Sequence, residues 1–278
     1  MGALMTTSVE VSVIIPCYCC SETLDRALDS VLSQSALPKE IILVDDCSDD
    51  GNKTLAVMSS FKESNPHIIV KLIVLEKNSG PGSARNAGWE LATSPYVAFL
   101  DADDSWHPKK LEIQSAWMRS HPEVDLTGHA TLNLSKDIAP HNLPPLQPEA
   151  VSRVRLLLSN FLPMRSIMLK TSLVERFYPG KRQAEDYLLW LTLACSGKSL
   201  VFLNLPLSYS YKNDFGQGGL SANLAQGLFG VLDVFKQLKD SGKIGYSLYI
   251  GLSTLELFKY VRRVVICFYY ARFRRFSA

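Results

Sequence analysis

Tyr96-Val-Ala-Phe-Leu-Asp-Ala-Asp-Asp104 decides how this chain is read: an apolar run stops abruptly at carboxylates. A short apolar run with a polar end is what a strand covered on both faces presents. The same pattern occurs twice upstream. Val11 to Ile15 leads into Pro16-Cys-Tyr18, and Ile41 to Val44 ends in Asp45-Asp46. Between them Leu24, Leu28, Val31 and Leu32 fall at helical spacing, with Ser21 as a candidate cap. Pro38 interrupts before the second strand. A helix is expected over Lys53 to Ser64, then a strand through Ile68 to Leu75. Gly80-Pro81-Gly82 breaks the chain ahead of a helix from Ser83 to Ala92. Strands alternating with helices predict right-handed βαβ units. The fold class is therefore α/β, a mainly parallel sheet flanked by helices.

Further on, a helix is expected from Pro108 to Ser120 and a strand from Val124 to Leu132. Pro140, Pro144, Pro145 and Pro148 make 135–149 a crossing with no element of its own. A helix near Ala184 to Ser196, a strand near Leu200 to Leu203, a loop from Asn204 to Leu220 and two helical stretches complete the chain. No internal repeat appears. The 278 residues suit a core domain over 1–220 with a helical extension over 221–278. Composition, 47% apolar and 20% charged, excludes global disorder, and a net charge of +2 gives no field for nucleic acid. Cys17, Cys19 and Cys20 crowd one segment, but no matching Cys/His cluster completes a zinc site, and the six cysteines read as reduced core residues. The start lacks the basic and apolar regions of a secretory leader, so a cytoplasmic protein is expected.

In an open parallel sheet, ligands bind at the carboxyl ends of the strands. Four polar clusters fall there: Pro16 to Tyr18, Asp45-Asp46, Asn78 to Arg85, and Asp101 to Asp104. Three have ordinary alternatives: a loop cap for Asp45, a surface ion pair for Arg85, a helix-capping cluster for the last. Carboxylates crowded at one strand end repel one another unless a cation is present, and Mg²⁺ or Mn²⁺ takes one or two carboxylates plus phosphate oxygens. Arg85, just inside a helix after the Gly-Pro-Gly turn, could lie against the same phosphates. Neither GxGxxG nor GxxxxGK[ST] is present.

Taken together, Val11 to Tyr18, Ile42-Leu-Val-Asp-Asp-Cys-Ser-Asp-Asp-Gly51, Asn78 to Gly88, Phe99 to Asp104 and Glu185-Asp-Tyr-Leu-Leu-Trp190 resemble the family-2 glycosyltransferases in order and spacing. That resemblance covers about Val11 to Tyr211. It implies a GT-A fold and transfer of one sugar from a nucleotide-sugar donor to an acceptor hydroxyl. Pro16 and Tyr18 would line the base and ribose pocket. Asp46 would contact the base, most often uracil, with Asp45 shaping that strand end. Arg85 would face the nucleotide. Asp103 would bind Mn²⁺ or Mg²⁺, with Asp101 supporting the ribose or the metal's water shell and Asp104 a further candidate ligand. Asp186 would be the general base, with Glu185 its neighbour. The sequence departs from the pattern in Cys17 to Cys20, where an Asn usually follows the Tyr, and in Cys47, where Gly is common. Both put the loop geometry in question.

The chemistry agrees with that resemblance. A leaving nucleoside diphosphate gains charge that a cation stabilises, and a sugar hydroxyl needs a carboxylate to take its proton. Single displacement with inversion is what the resemblance implies, and no second carboxylate is spaced as a nucleophile. Trp106 either stacks on acceptor sugar or packs in the core, Trp190 packs beneath the site or in the core, and Gln217 to Ser221 either closes over the diphosphate or is an ordinary loop.

From Lys259 on, six basic residues and no acidic one interleave with aliphatic and aromatic side chains. Either this helix lies on an anionic membrane or it packs on the core with a solvated basic face. On the first alternative the acceptor would be a lipid-linked sugar at the cytosolic face of the inner membrane. Processive relatives carry membrane spans and a QxxRW motif that this sequence lacks, which favours single addition. A sugar-nucleotide pyrophosphorylase or a non-catalytic nucleotide-sugar-binding module are the alternatives.

Overall fold

The computed structural model describes residues 7–135, 137, 142–211 and 224–273, with side chains through 267. One sheet runs through it. The first half comprises β1 (Thr7–Cys17), α1 (Leu24–Leu32), β2 (Ala36–Asp45), α2 (Lys53–Ser64), β3 (Ile69–Val74), α3 (Pro81–Glu90) and β4 (Tyr96–Phe99). Then come β5 (Ser105–Trp106), α4 (Lys110–Ser120), β6 (Leu126–Asn133), β7 (Pro148–Ala150), α5 (Arg153–Leu158), a 3₁₀ turn (Met164–Ser166) and β8 (Met168–Lys170). The chain continues with α6 (Glu185–Cys195), β9 (Leu200–Ser210), α7 (Leu224–Asp240) and α8 (Tyr246–Phe273). The strand order is β3-β2-β1-β4-β8-β6-β9-β5, with β7 pairing β9. β3, β2, β1 and β4 are parallel, and the pairs beyond β4 are mixed.

The uninterrupted apolar runs follow from burial on both faces. Val97 and Phe99 enter the core on one side of the sheet with Ile14, Ile42 and Trp89. Ala98 and Leu100 enter the core on the other side with Val13, Ile15 and Ile41. Successive strand residues point to opposite faces, so a doubly covered strand has no polar alternation.

Some expectations need correction. Ser21 does not cap α1; Thr23 occupies that position without a side-chain capping bond. Pro38 lies within β2, opposite Val9 and beside a register shift, and β9 likewise passes through Pro206 at a shift. Irregular pairing is where a strand tolerates the missing N–H. β9 therefore runs to Ser210, through residues expected to form a loop. Gln217 to Ser221 lie outside the described residues. All six cysteines are free thiols, but only Cys17 is fully buried.

Two departures from the family pattern now have a backbone cause. Cys19 and Cys47 both adopt positive φ, 46° and 56°. Asn and Gly tolerate that region far better than cysteine does, so both positions carry local strain.

Candidate active site

A cavity of about 430 Å³ opens where α3, β4 and α6 converge. Arg85 and Asp101 form one side, the segment from Asn160 to Arg165 a second, and Arg182 to Asp186 the third. Three of the expected residues, Arg85, Asp101 and Asp186, thus share one space. Pro16, Tyr18, Asp45, Asp46 and Asp103 do not line it.

Arg85 is the keystone. It is buried in the first turns of α3, donating from Nη2 to Asp101 Oδ1 at 2.7 Å and from Nη1 to Glu185 Oε1 at 2.8 Å. Burial works against its charge, but the two carboxylates outweigh that and hold its pKa above the ordinary value. The Gly-Pro-Gly turn permits this approach. Gly80 has φ +86°, and a Cβ on Gly82 would lie 3.1 Å from Glu185 Cγ. The bland alternative for Arg85, a surface ion pair, is excluded by its burial.

Asp186 is the second residue of α6, which follows Ala184 in the left-handed conformation at φ 54°. Its Oδ2 accepts from Asn160 Nδ2 at 3.1 Å and its Oδ1 from the Tyr187 amide at 2.6 Å. Burial pushes its pKa up, against the pull of those donors and of Arg85. Burial also raises Glu185, with Arg85 opposing. A desolvated carboxylate that remains ionised is a stronger base than one in water.

The turn after β4 is braced from three directions. The Asp104 amide bonds to the Asp101 carbonyl at 3.0 Å, and Arg26 Nη2 reaches the Asp103 carbonyl at 2.6 Å. Asp104 is buried and paired with Arg165. Burial lifts its pKa to about 7 despite that partner. Asp104, the further candidate metal ligand, is thus engaged with Arg165 at the cavity wall. Trp106 is buried as well. Its Nε1 donates to the Arg165 carbonyl at 2.8 Å and Lys110 Nζ lies 3.8 Å from its ring, so it packs in the core. Trp190 is buried with Nε1 on the Leu162 carbonyl at 3.2 Å, beneath the cavity wall.

Asp45 and Asp46 shape the neighbouring rim. Asp45 accepts from the Ser48 hydroxyl at 2.5 Å, and that oxygen accepts from the Cys19 amide at 2.9 Å. The loop-cap alternative thus holds for Asp45. Asp46 takes the Ser79 and Gly80 amides, one on each oxygen, at 2.7 and 2.8 Å. Tyr18 is half exposed at the strand end. Cys17 and Cys20 are spaced C-x-x-C, and Cys17 Sγ donates to the Ile15 carbonyl at 3.6 Å; the neighbouring Cys20 thiol and burial push the Cys17 pKa up, while Cys17 draws that of Cys20 down.

Asp101 and Asp103, hard oxygen donors at one strand end, fit Mg²⁺ or Mn²⁺, which such sites hold with one or two carboxylates and substrate phosphates. Among the described residues no group of three or more metal-ligating side chains gathers. The other coordination positions would fall to diphosphate and water.

With this geometry in place, the glycosyl transferase family 2 model matches residues 12–175. The chain belongs to that family. It is a glycosyltransferase with the GT-A fold. The UDP-Glc:alpha-D-GlcNAc-diphosphoundecaprenol beta-1,3-glucosyltransferase WfaP of Escherichia coli is 29% identical over 230 residues, 82% of this chain and 86% of that protein. The amylovoran biosynthesis glycosyltransferase AmsB of Erwinia amylovora is 29% identical over 231 residues, 80% of this chain and 76% of its own length. In fold, the glycosyltransferase resembles S. aureus TarS 1-349 in complex with UDP-GlcNAc, with a TM-score of 0.67, 21% identity and coverage of 90% of this chain and 72% of that one. The mannosyltransferase PcManGT of Pyrobaculum calidifontis in complex with GDP-Man and Mn²⁺ gives 0.64 at 17% identity, over 90% and 70%.

Sequence reasoning had not singled out Asn160, Arg165 or Arg182 as site residues. Asn160 and Arg182 lie in irregular segments and Arg165 in the 3₁₀ turn, and only the fold brings them to the carboxylates. Arg182 bonds Asn78 Oδ1 at 2.7 Å, tying the cavity wall to the loop before α3.

Proposed function

We propose that this glycosyltransferase moves one sugar from a UDP-sugar to a hydroxyl of a lipid-linked glycan during surface-polysaccharide assembly, with inversion at the anomeric carbon. The observation that carries the reading is Asp186, held by Asn160 across one cavity from the Arg85–Asp101 pair. As the acceptor oxygen bonds to the anomeric carbon, its proton passes to Asp186 and the bond to the diphosphate breaks, its electron pair leaving with UDP. Asn160 and the Tyr187 amide fix the direction of the accepting carboxylate. Arg85 and the turn at Asp101–Asp104 keep the donor side rigid, with Pro16, Tyr18, Asp45 and Asp46 shaping the nucleotide pocket. A divalent ion at Asp103, supported by Asp101, would supply charge stabilisation to the departing diphosphate.

The acceptor class is carried over from WfaP, whose name specifies a diphosphoundecaprenol-linked sugar. On this reading the enzyme would work at the cytosolic face of the membrane. No described helix is long and apolar enough to cross one. Residues 1–220 would then carry the chemistry and 221–278 would serve as the extension.

Calorimetric titration with UDP, with and without Mn²⁺, tests the donor side beside Asp103→Ala. Metal-dependent UDP binding that the variant loses is expected. UDP binding indifferent to metal in both proteins would remove the metal from the proposal, and binding of GDP in place of UDP would overturn the donor.

A further inference from the structure

We propose that the outward face of α8 seats the enzyme on an anionic lipid surface, with the cavity wall tethered to that seat. The inference rests on the lipid-linked acceptor proposed above and names the surface that would meet it. The inner face of α8 packs through Leu252 and buries Glu256, whose charge is answered by Lys259 Nζ at 3.2 Å and by Arg263. The outer face carries Tyr246, Ile250, Leu257, Phe258, Val261 and Val265. These positions share one helical stripe. They are well exposed, Phe258 at 70%, Val261 at 57% and Val265 at 60%. Isolated exposed apolar side chains are ordinary, but a continuous stripe of them marks an interaction surface.

Charge selects the occupant. Lys259 and Arg263 answer Glu256, and beyond them the sequence from Leu257 onward adds Arg262, Arg272, Arg274 and Arg275 and no acidic residue. Arg262 is exposed on the described part of the helix. Apolar side chains entering the acyl boundary while cations meet phosphate headgroups are the two contributions that hold an interfacial helix.

The seat is joined to the site. Lys259 Nζ donates to the Leu158 carbonyl at 2.5 Å, two residues before Asn160, the partner of Asp186. Val154 and Leu158 on α5 are themselves exposed apolar residues next to this junction. A lipid-linked acceptor would thus approach from the side on which the Asn160–Arg165 wall stands.

Flotation of the full chain with phosphatidylcholine vesicles, with or without phosphatidylglycerol, provides the test. It is run beside the triple variant Phe258→Ser, Val261→Ser, Val265→Ser, whose changes are confined to exposed positions. The wild type should float with the anionic vesicles and be released by salt. The variant should bind about tenfold less while releasing UDP at an unchanged rate with a short-chain, water-soluble acceptor analogue. Equal flotation of both proteins, or no flotation of either, would overturn the seat. So would a wild-type dimer in sedimentation that the variant loses, which would assign the face to a second copy. Vesicle binding without turnover of any diphospholipid acceptor would leave the seat standing and sink the acceptor class instead.

Discussion

Arg85 and Glu185 stand a hundred residues apart in the chain, yet Arg85 Nη1 lies 2.8 Å from Glu185 Oε1. The other arm of the same guanidinium holds Asp101 at 2.7 Å. One planar cation therefore fixes the start of α3, the end of β4 and the first turn of α6 in a single geometry. The residue after Glu185 is the candidate base, so the distance between donor side and base is set before any substrate arrives.

Replacing Arg85 should be costly in both stability and rate. Arg85→Ala leaves two carboxylates, one of them deeply buried, without their cation, and losing a partner from a buried pair costs about 3–5 kcal/mol. Urea denaturation should show that loss, and UDP release should fall by about a hundredfold or more through the displaced base. Arg85→Lys should recover little, because an ammonium cannot span both carboxylates as a planar fork does. Near-normal turnover in the lysine variant would show that the fork is unnecessary.

The base can be separated from its support by pH. Asp186→Asn should reduce transfer by about 10²- to 10⁴-fold and leave UDP affinity nearly unchanged. In the wild type, burial raises the Asp186 pKa, so the acid limb of the kcat/KM profile should fall at a higher pH than an ordinary carboxylate gives. Asn160 donates to the charged form. Asn160→Ala should therefore move that limb to still higher pH while the plateau rate changes less. An unmoved acid limb would deny Asn160 its positioning role.

The parallel half of the fold was legible because its signals are local. An apolar run such as Tyr96 to Leu100 followed by carboxylates declares a buried strand and its ligand-facing end, and α2 runs over the expected Lys53–Ser64. β5, β7 and β8 span only two or three residues and are fixed by what they pair with, so no period announces them. The site divided in the same way. Arg85, Asp101 and Asp186 stand in dense motifs, whereas Asn160 and Arg165 acquire meaning only through partners distant in sequence. Asp104 could not be told from its neighbours, since nothing local signals that Arg165, 61 positions on, will bury and pair it.

Strain at the rim offers a stabilising change. Cys47 sits at φ 56°, where a side chain costs about 1–2 kcal/mol. Glycine removes that cost but gives back about 0.5–1 kcal/mol of unfolded-chain entropy. Cys47→Gly should raise the urea midpoint modestly, by about 0.5 kcal/mol in unfolding free energy, and leave UDP binding intact. A destabilised variant would mean that its thiol's contact with the Glu76 carbonyl, 3.8 Å away, matters more than the backbone.

Glu40 should carry the acid sensitivity of the sheet, far from the chemistry. It is buried in β2, where it accepts from Ser12 Oγ at 2.6 Å and from the Thr93 amide at 2.7 Å, and pairs with Lys71 at 2.6 Å. Burial alone would push its pKa up, but Lys71, Ser12 and Thr93 together hold it at about 2, below the ordinary 4.5. A depressed carboxylate contributes stability that is complete above its unfolded value and is lost as pH falls through its folded one. The window is therefore about pH 4.5 down to about 2. Glu40→Gln keeps the shape and removes the charge, and should cost about 2–3 kcal/mol at pH 7 by weakening the bonds to Lys71 and Thr93. Urea titrations of both proteins should converge as pH is lowered through that window. A gap between them that stays constant from pH 7 to pH 3 would mean that Glu40 acts through packing and not through its charge.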